Sequence, residues 1–144
     1  MVDIVKFKKE HLNEVDEHVF GLSVKENISY AQLEALEKRS HAYSVIKNGK
    51  VLGCAGVTEY WPGRGEAWAI LSTNLKHDFM TFHNEVKKFL DNVPIKRVEA
   101  VVDRDFKDGI RWVNMLGFSL EAPCMKAYGR DGKDCILFSR VRNG

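Results

Sequence analysis

The dipeptide Asn48-Gly49 restricts this chain's fold more than any other local feature. It stands between two apolar runs, Tyr43-Ser44-Val45-Ile46-Lys47 before it and Val51-Leu52-Gly53-Cys54-Ala55-Gly56-Val57-Thr58 after it. Both of its residues tolerate a positive φ, which a two-residue turn between antiparallel strands requires. An antiparallel hairpin is therefore expected here, and a sheet must be built around it.

The rest of the chain supplies the partners. Residues 2–7 (VDIVKF) alternate apolar and polar and read as a short strand. A helix is expected at about residues 9–20, with Leu12, Val15, Val19 and Phe20 on one side and Gly21 at its end. Ser29 is placed to cap a second helix that buries Leu33, Leu36 and Tyr30. After the loop Pro62-Gly63-Arg64-Gly65, residues 66–72 (EAWAILS) are nearly all apolar, as in a strand covered on both faces. A helix is expected over 78–91, with Phe79, Phe82, Val86, Phe89 and Leu90 inward, and Pro94 ends it. Residues 96–102 (KRVEAVV) form another strand. Asp105 is placed to cap a further helix carrying Ile110, Val113 and Leu116, and Gly117 follows its end. A second hairpin closes the chain, from Phe118 to Tyr128 and from Cys135 to Val141, about the turn Gly129-Arg130-Asp131-Gly132. The expected order is β-α-α-β-β-β-α-β-α-β-β. This is an α/β (α+β) class with a mixed central sheet of about seven strands flanked by four helices.

Composition excludes several functions. The 144 residues suit one domain, 1–144, which buries roughly 70% of its unfolded surface and folds without metals or disulfides. Lys and Arg total 22 against 20 Asp and Glu, and no basic stripe is evident, so a nucleic-acid partner is not expected. No apolar run approaches the roughly 18 residues of a membrane span. The first six residues lack the apolar core of a secretory signal. Cys54, Cys124 and Cys135 are odd in number and widely spaced, which supports neither a disulfide framework nor a CxxC metal site. A reducing, cytoplasmic compartment is the expectation.

Ile110-Arg111-Trp112-Val113-Asn114-Met115-Leu116-Gly117-Phe118 resembles the late helix of the GNAT N-acetyltransferase superfamily, which ends in Leu-Gly-Phe. By position, Trp68 to Ser72 matches the strand that receives the cofactor in that superfamily, and the Asn48-Gly49 hairpin matches its second and third strands. The resemblance spans nearly the whole chain and implies a GNAT-like fold and acetyl-CoA as cofactor. It implies that Leu71 and Ser72 meet the pantetheine through backbone groups where two parallel strands splay. It also implies that residues 75–81 meet the pyrophosphate, with the side chains of Lys76, His77 and Thr81 in place of glycines. The superfamily's glycine-rich turn is absent: residues 73–81 read Thr-Asn-Leu-Lys-His-Asp-Phe-Met-Thr. Asp78 would repel phosphate there, though it suits a helix N-cap. The tyrosine that protonates the departing thiolate corresponds to Val113, and the early asparagine of that helix to Phe106.

Glu66 is the glutamate placed where such enzymes deprotonate the acceptor amine, with Glu59 nearby. Asp103, at the end of a strand, either binds an amine or caps a turn. The acceptor is expected to be an amine or a protein. Trp68, the 110–117 helix and Tyr128-x-Arg130-Asp131-Gly132 are together similar to a divergent GNAT-like group from short-tailed bacteriophages that includes an internal virion protein. That similarity implies the alternative of a non-catalytic protein that binds a phage or host partner.

Overall fold

The computed structural model describes residues 2–13, 18–20, 30–72, 75, 77–129 and 132–142. Its elements are β1 (Val2–Lys6), a 3-10 turn (Lys9–Asn13), β2 (His18–Phe20), α1 (Tyr30–Arg39), β3 (Ser40–Lys47) and β4 (Lys50–Trp61). There follow β5 (Arg64–Leu71), α2 (Phe79–Asn92), β6 (Arg97–Asp103), α3 (Lys107–Met115), β7 (Ser119–Met125) and β8 (Cys135–Val141). Asn48 and Gly49 have φ of 52° and 76°, the turn expected of them, and Lys47 pairs with Lys50 across it.

Seven strands lie in the order β1-β3-β4-β5-β6-β8-β7, and the short β2 pairs with β5 beside that path. All pairings are antiparallel except β5 with β6. The sheet is thus mixed, as expected. Strand alternation sends side chains to two covered faces. Phe82, Val86, Leu90, Trp112 and Val113 of α2 and α3 pack on Ala67, Ala69, Ala100 and Val102. Phe7, Leu12 and Leu36 cover Cys54, Trp68 and Ile70 on the other face. No helix among the described residues is long and apolar enough to cross a membrane.

Local chemistry sets one helix end closely. Gly117 has φ 91°, its N–H bonds Asn114 O, and the Phe118 N–H reaches back to Val113 O. The pair of bonds is a Schellman cap, which needs a residue at ease with a left-handed backbone.

Three expectations are corrected. Among the described residues there are three α-helices rather than four. The helix expected over 9–20 is a 3-10 turn at Lys9–Asn13, followed by β2. A short segment with Val19 and Phe20 pairs with an open strand edge more readily than it sustains a helix, because isolated helices of this length are marginal. The two aspartate caps do not form. Asp78 occupies the N-cap of α2, but its carboxylate bonds Lys47 Nζ at 2.6 Å and makes no cap hydrogen bond. Phe106, not Asp105, precedes α3, again without a side-chain cap. The expected end at Gly21 and cap at Ser29 lie outside the described residues.

Tyr43 sits in the core beside Phe89, with its hydroxyl buried and without a partner among the described residues. A buried hydroxyl without a hydrogen bond costs about 1–3 kcal/mol. Tyr43→Phe is therefore expected to stabilise the protein by about 1 kcal/mol in urea unfolding.

Candidate active site

The site is set by where β5 and β6 stop pairing. Their parallel ladder covers Arg64↔Arg97, Gly65↔Val98 and Glu66↔Glu99 and then ends. β4 stays paired with β5 as far as Leu71, and β8 stays paired with β6 as far as Asp103. The sheet therefore opens at its centre, and Glu66 and Glu99 stand side by side at the point of the opening. Both project to the face opposite α2 and α3, since Ala67, Ala69, Val98 and Ala100 take the helix side.

The two carboxyl groups differ in environment. Glu99 is 6% exposed. It accepts bonds from Arg64 Nε at 2.7 Å and Arg64 Nη2 at 3.0 Å. Arg97 Nε adds a third bond at 2.7 Å. The Arg64 bond, seconded by Arg97, holds the Glu99 pKa below the ordinary carboxylate range against its burial. Arg64 is held in turn, its guanidinium 5.0 Å from the Tyr60 ring centre and 4.7 Å from that of Trp61. Glu66 is half-buried, and the Tyr60 hydroxyl donates a hydrogen bond to its Oε1. Burial pushes the Glu66 pKa up, the neighbouring Glu99 adds to this, and Tyr60 and Arg64 oppose it. Two adjacent carboxyl groups whose proton affinities are driven apart are the arrangement that assigns acid and base roles.

Asp103 is not part of this pair. It lies four residues beyond Glu99 on β6, roughly 13 Å along the strand. The Cys135 thiol donates to its Oδ1 at 3.7 Å, and Lys133 Nζ is 3.9 Å from Oδ2. Its backbone carbonyl accepts the Phe106 N–H and closes a turn. Glu59 accepts the Gly63 N–H at 3.3 Å and ties the β4–β5 turn.

The far end of the gap holds the other expected residues. The Ser72 N–H bonds Leu52 O on β4, and its carbonyl accepts the Leu75 N–H. By alternation, the backbone groups of Leu71 and Ala69 point the opposite way, into the gap. There β2 covers them in antiparallel register, His18↔Leu71 and Phe20↔Ala69. His77 is exposed in the turn before α2, and Thr81 is exposed in its first turn. Lys76 lies outside the described residues. Lys47 reaches this corner from β3 through Asp78, a role that its sequence position did not disclose. Val113 is wholly buried, and Trp112 beside it donates Nε1–H to the buried His83 Nδ1 at 3.0 Å. Burial, with Lys87 nearby, lowers the His83 pKa and keeps the ring neutral. No metal-ligating cluster is found among the described residues.

Comparison with solved structures matches this architecture end to end. Ard1 from Thermoplasma volcanium superposes with a TM-score of 0.79 over 99% of each chain, at 15% identity. The fold is that of the GNAT acetyltransferases. The ribosomal-protein-S18-alanine N-acetyltransferase from Escherichia coli gives 0.75 at 13% identity, covering 100% of this chain and 97% of its own. A GNAT-family acetyltransferase from Streptococcus pneumoniae gives 0.69 at 12% identity, over 99% of this chain and all of its own. No family model and no curated protein matches the sequence. At these identities the likeness is one of GNAT fold.

Tyr60 and Glu99 were missed by sequence reasoning. The signal for Glu99 was an acid set between Val98 and Ala100 in the apolar middle of a strand. Nothing local pointed to Tyr60.

Proposed function

We propose that this chain is an acetyl-CoA-dependent N-acetyltransferase in which Glu66 accepts the proton of the acceptor amine. The observation that carries the reading is the half-buried Glu66 at the point where β5 and β6 part, beside a Glu99 that Arg64 and Arg97 hold in its charged form. A carboxylate with raised proton affinity is a competent general base near neutral pH. Tyr60 orients it by donating to Oε1. The cofactor, when bound, supplies an activated acetyl thioester. Glu66 would take the proton of the attacking nitrogen as the acetyl group is transferred to it. Val113 has no proton to offer a leaving sulfur, and that proton would have to come from solvent.

The residues at the other end fit a diphosphate. Among the described residues Asp78 makes no side-chain cap on the first turn of α2, an arrangement that leaves its amide N–H groups to an anion. Lys47 pairs with Asp78 at 2.6 Å, which offsets the charge that would repel phosphate at that helix end. His77 and Thr81 are exposed there to supply polar contacts. Isothermal titration is expected to give one acetyl-CoA site, and no heat at millimolar ligand would overturn the reading. Lys47→Ala is expected to weaken that site about three- to fivefold, because Asp78 would then face the phosphates unpaired. The fold neighbour named as a ribosomal-protein-S18-alanine N-acetyltransferase supports a protein amine as acceptor.

A second reading is a non-catalytic protein of the same fold that binds a phage or host partner. The buried Val113 favours it, as does Trp61, 56% exposed at the β4–β5 turn. Cofactor binding without turnover of any amine would select it.

A further inference from the structure

The edge of β5 is occupied in three different ways. β4 takes one side along the whole strand. On the other side, β6 takes residues 64–66 and β2 takes residues 69–71. The Ser72 N–H to Leu52 O bond fixes which residues face which side, because strand groups alternate. Ser72 and Ile70 face β4, while Leu71 and Ala69 face the gap. His18↔Leu71 and Phe20↔Ala69 are therefore the hydrogen-bonded pairs of the β2–β5 ladder, and Val19 turns its own groups away. A strand edge inside a cleft is recognised by any extended chain that carries amides, whatever its side chains. β2 is three residues long, and no strand other than β5 pairs with it among the described residues. Among the described residues, its backbone hold on the cleft is two hydrogen-bonded residue pairs.

We infer that β2 is an intramolecular stand-in for an amide-bearing ligand, and that such a ligand binds by displacing it from Ala69 and Leu71. The inference rests on the cofactor reading above, since CoA carries two amides in an extended arm. β2 thereby regulates the site: the empty protein closes its own cleft, and loading requires the strand to leave. The apparent affinity is the intrinsic one multiplied by the fraction of molecules with β2 detached.

Amide hydrogen exchange with CoA itself as probe tests this. In the free protein the amides of His18, Phe20, Ala69 and Leu71 are expected to be protected. With saturating CoA, Ala69 and Leu71 stay protected while His18 and Phe20 lose protection. Phe20→Pro removes one N–H from the β2 ladder. It is expected to bind CoA about tenfold more tightly than the unmodified chain, from the loss of about one net hydrogen bond. If that variant fails to fold, the exchange pattern of the unmodified protein decides alone. CoA binding with His18 and Phe20 still protected would overturn the inference and leave the cofactor reading intact. Unprotected Ala69 and Leu71 in the free protein would overturn it equally. No CoA binding to either protein would overturn the cofactor reading, and the inference with it.

Discussion

Glu66→Gln is expected to lower the rate of acetyl transfer by about two to four orders of magnitude, the usual contribution of a positioned general base. Glutamine keeps the shape of the side chain and can still bond Tyr60, so the loss would report the proton acceptor rather than the packing. Steady-state kinetics with a peptide N-terminus as acceptor would measure it. Retention of more than a tenth of the rate would exclude the assignment. The pH profile adds a second readout. Burial raises the Glu66 pKa, so the acid limb of kcat/KM is expected above the ordinary carboxylate range. Tyr60→Phe removes a bond that favours the ionised form, and the limb should move to still higher pH. The sign for stability is the reverse of that for activity. A carboxyl group with a raised folded pKa stabilises the fold below its unfolded value, and this contribution is lost as pH rises through the folded one. At neutral pH, Glu66→Gln should therefore leave the protein at least as stable as before.

Glu99→Ala is expected to lower stability by about 2–3 kcal/mol, measured by denaturant unfolding at pH 7. Breaking a buried ion pair by removing one partner typically costs 3–5 kcal/mol. The figure is reduced here because the Arg64 and Arg97 side chains are 35% and 29% exposed and regain water. The pH dependence is opposite to that of Glu66. The Glu99 pKa is depressed by its arginine bonds, so its contribution is present above the unfolded carboxylate value and is lost as pH falls through the folded one. The difference between the two proteins should shrink in acid. A gap independent of pH would mean that packing, not the ion pair, is what the substitution removed.

How much of this could be read in advance depends on the range of each interaction. The Asn48-Gly49 turn and the Gly117 cap were legible because a few adjacent residues settle them. The openness of the sheet centre was legible only through resemblance. β2 was misread as helix because its partner, the free edge of β5, exists only once the sheet is assembled. The Glu99 role was hidden for a similar reason. Its first partner, Arg64, is 35 residues away in sequence, and nothing near Glu99 announces the pairing. Asp78 looked like a cap because its position suits one, yet Lys47, 31 residues before it, bonds the carboxylate instead.

The ladder of three residue pairs between β5 and β6 has a mechanical meaning. Among the described residues it is the sole strand-to-strand seam joining the half-sheet β1-β3-β4-β5 to the half-sheet β6-β8-β7. Each half is braced by long antiparallel ladders and resists shear, while the seam is short and lies at one end. The Arg64–Glu99 ion pair pins the seam at that end. Beyond it the halves are held together by the side chains that both present to α2 and α3, so any widening of the mouth would load that shared core rather than the strand ladders.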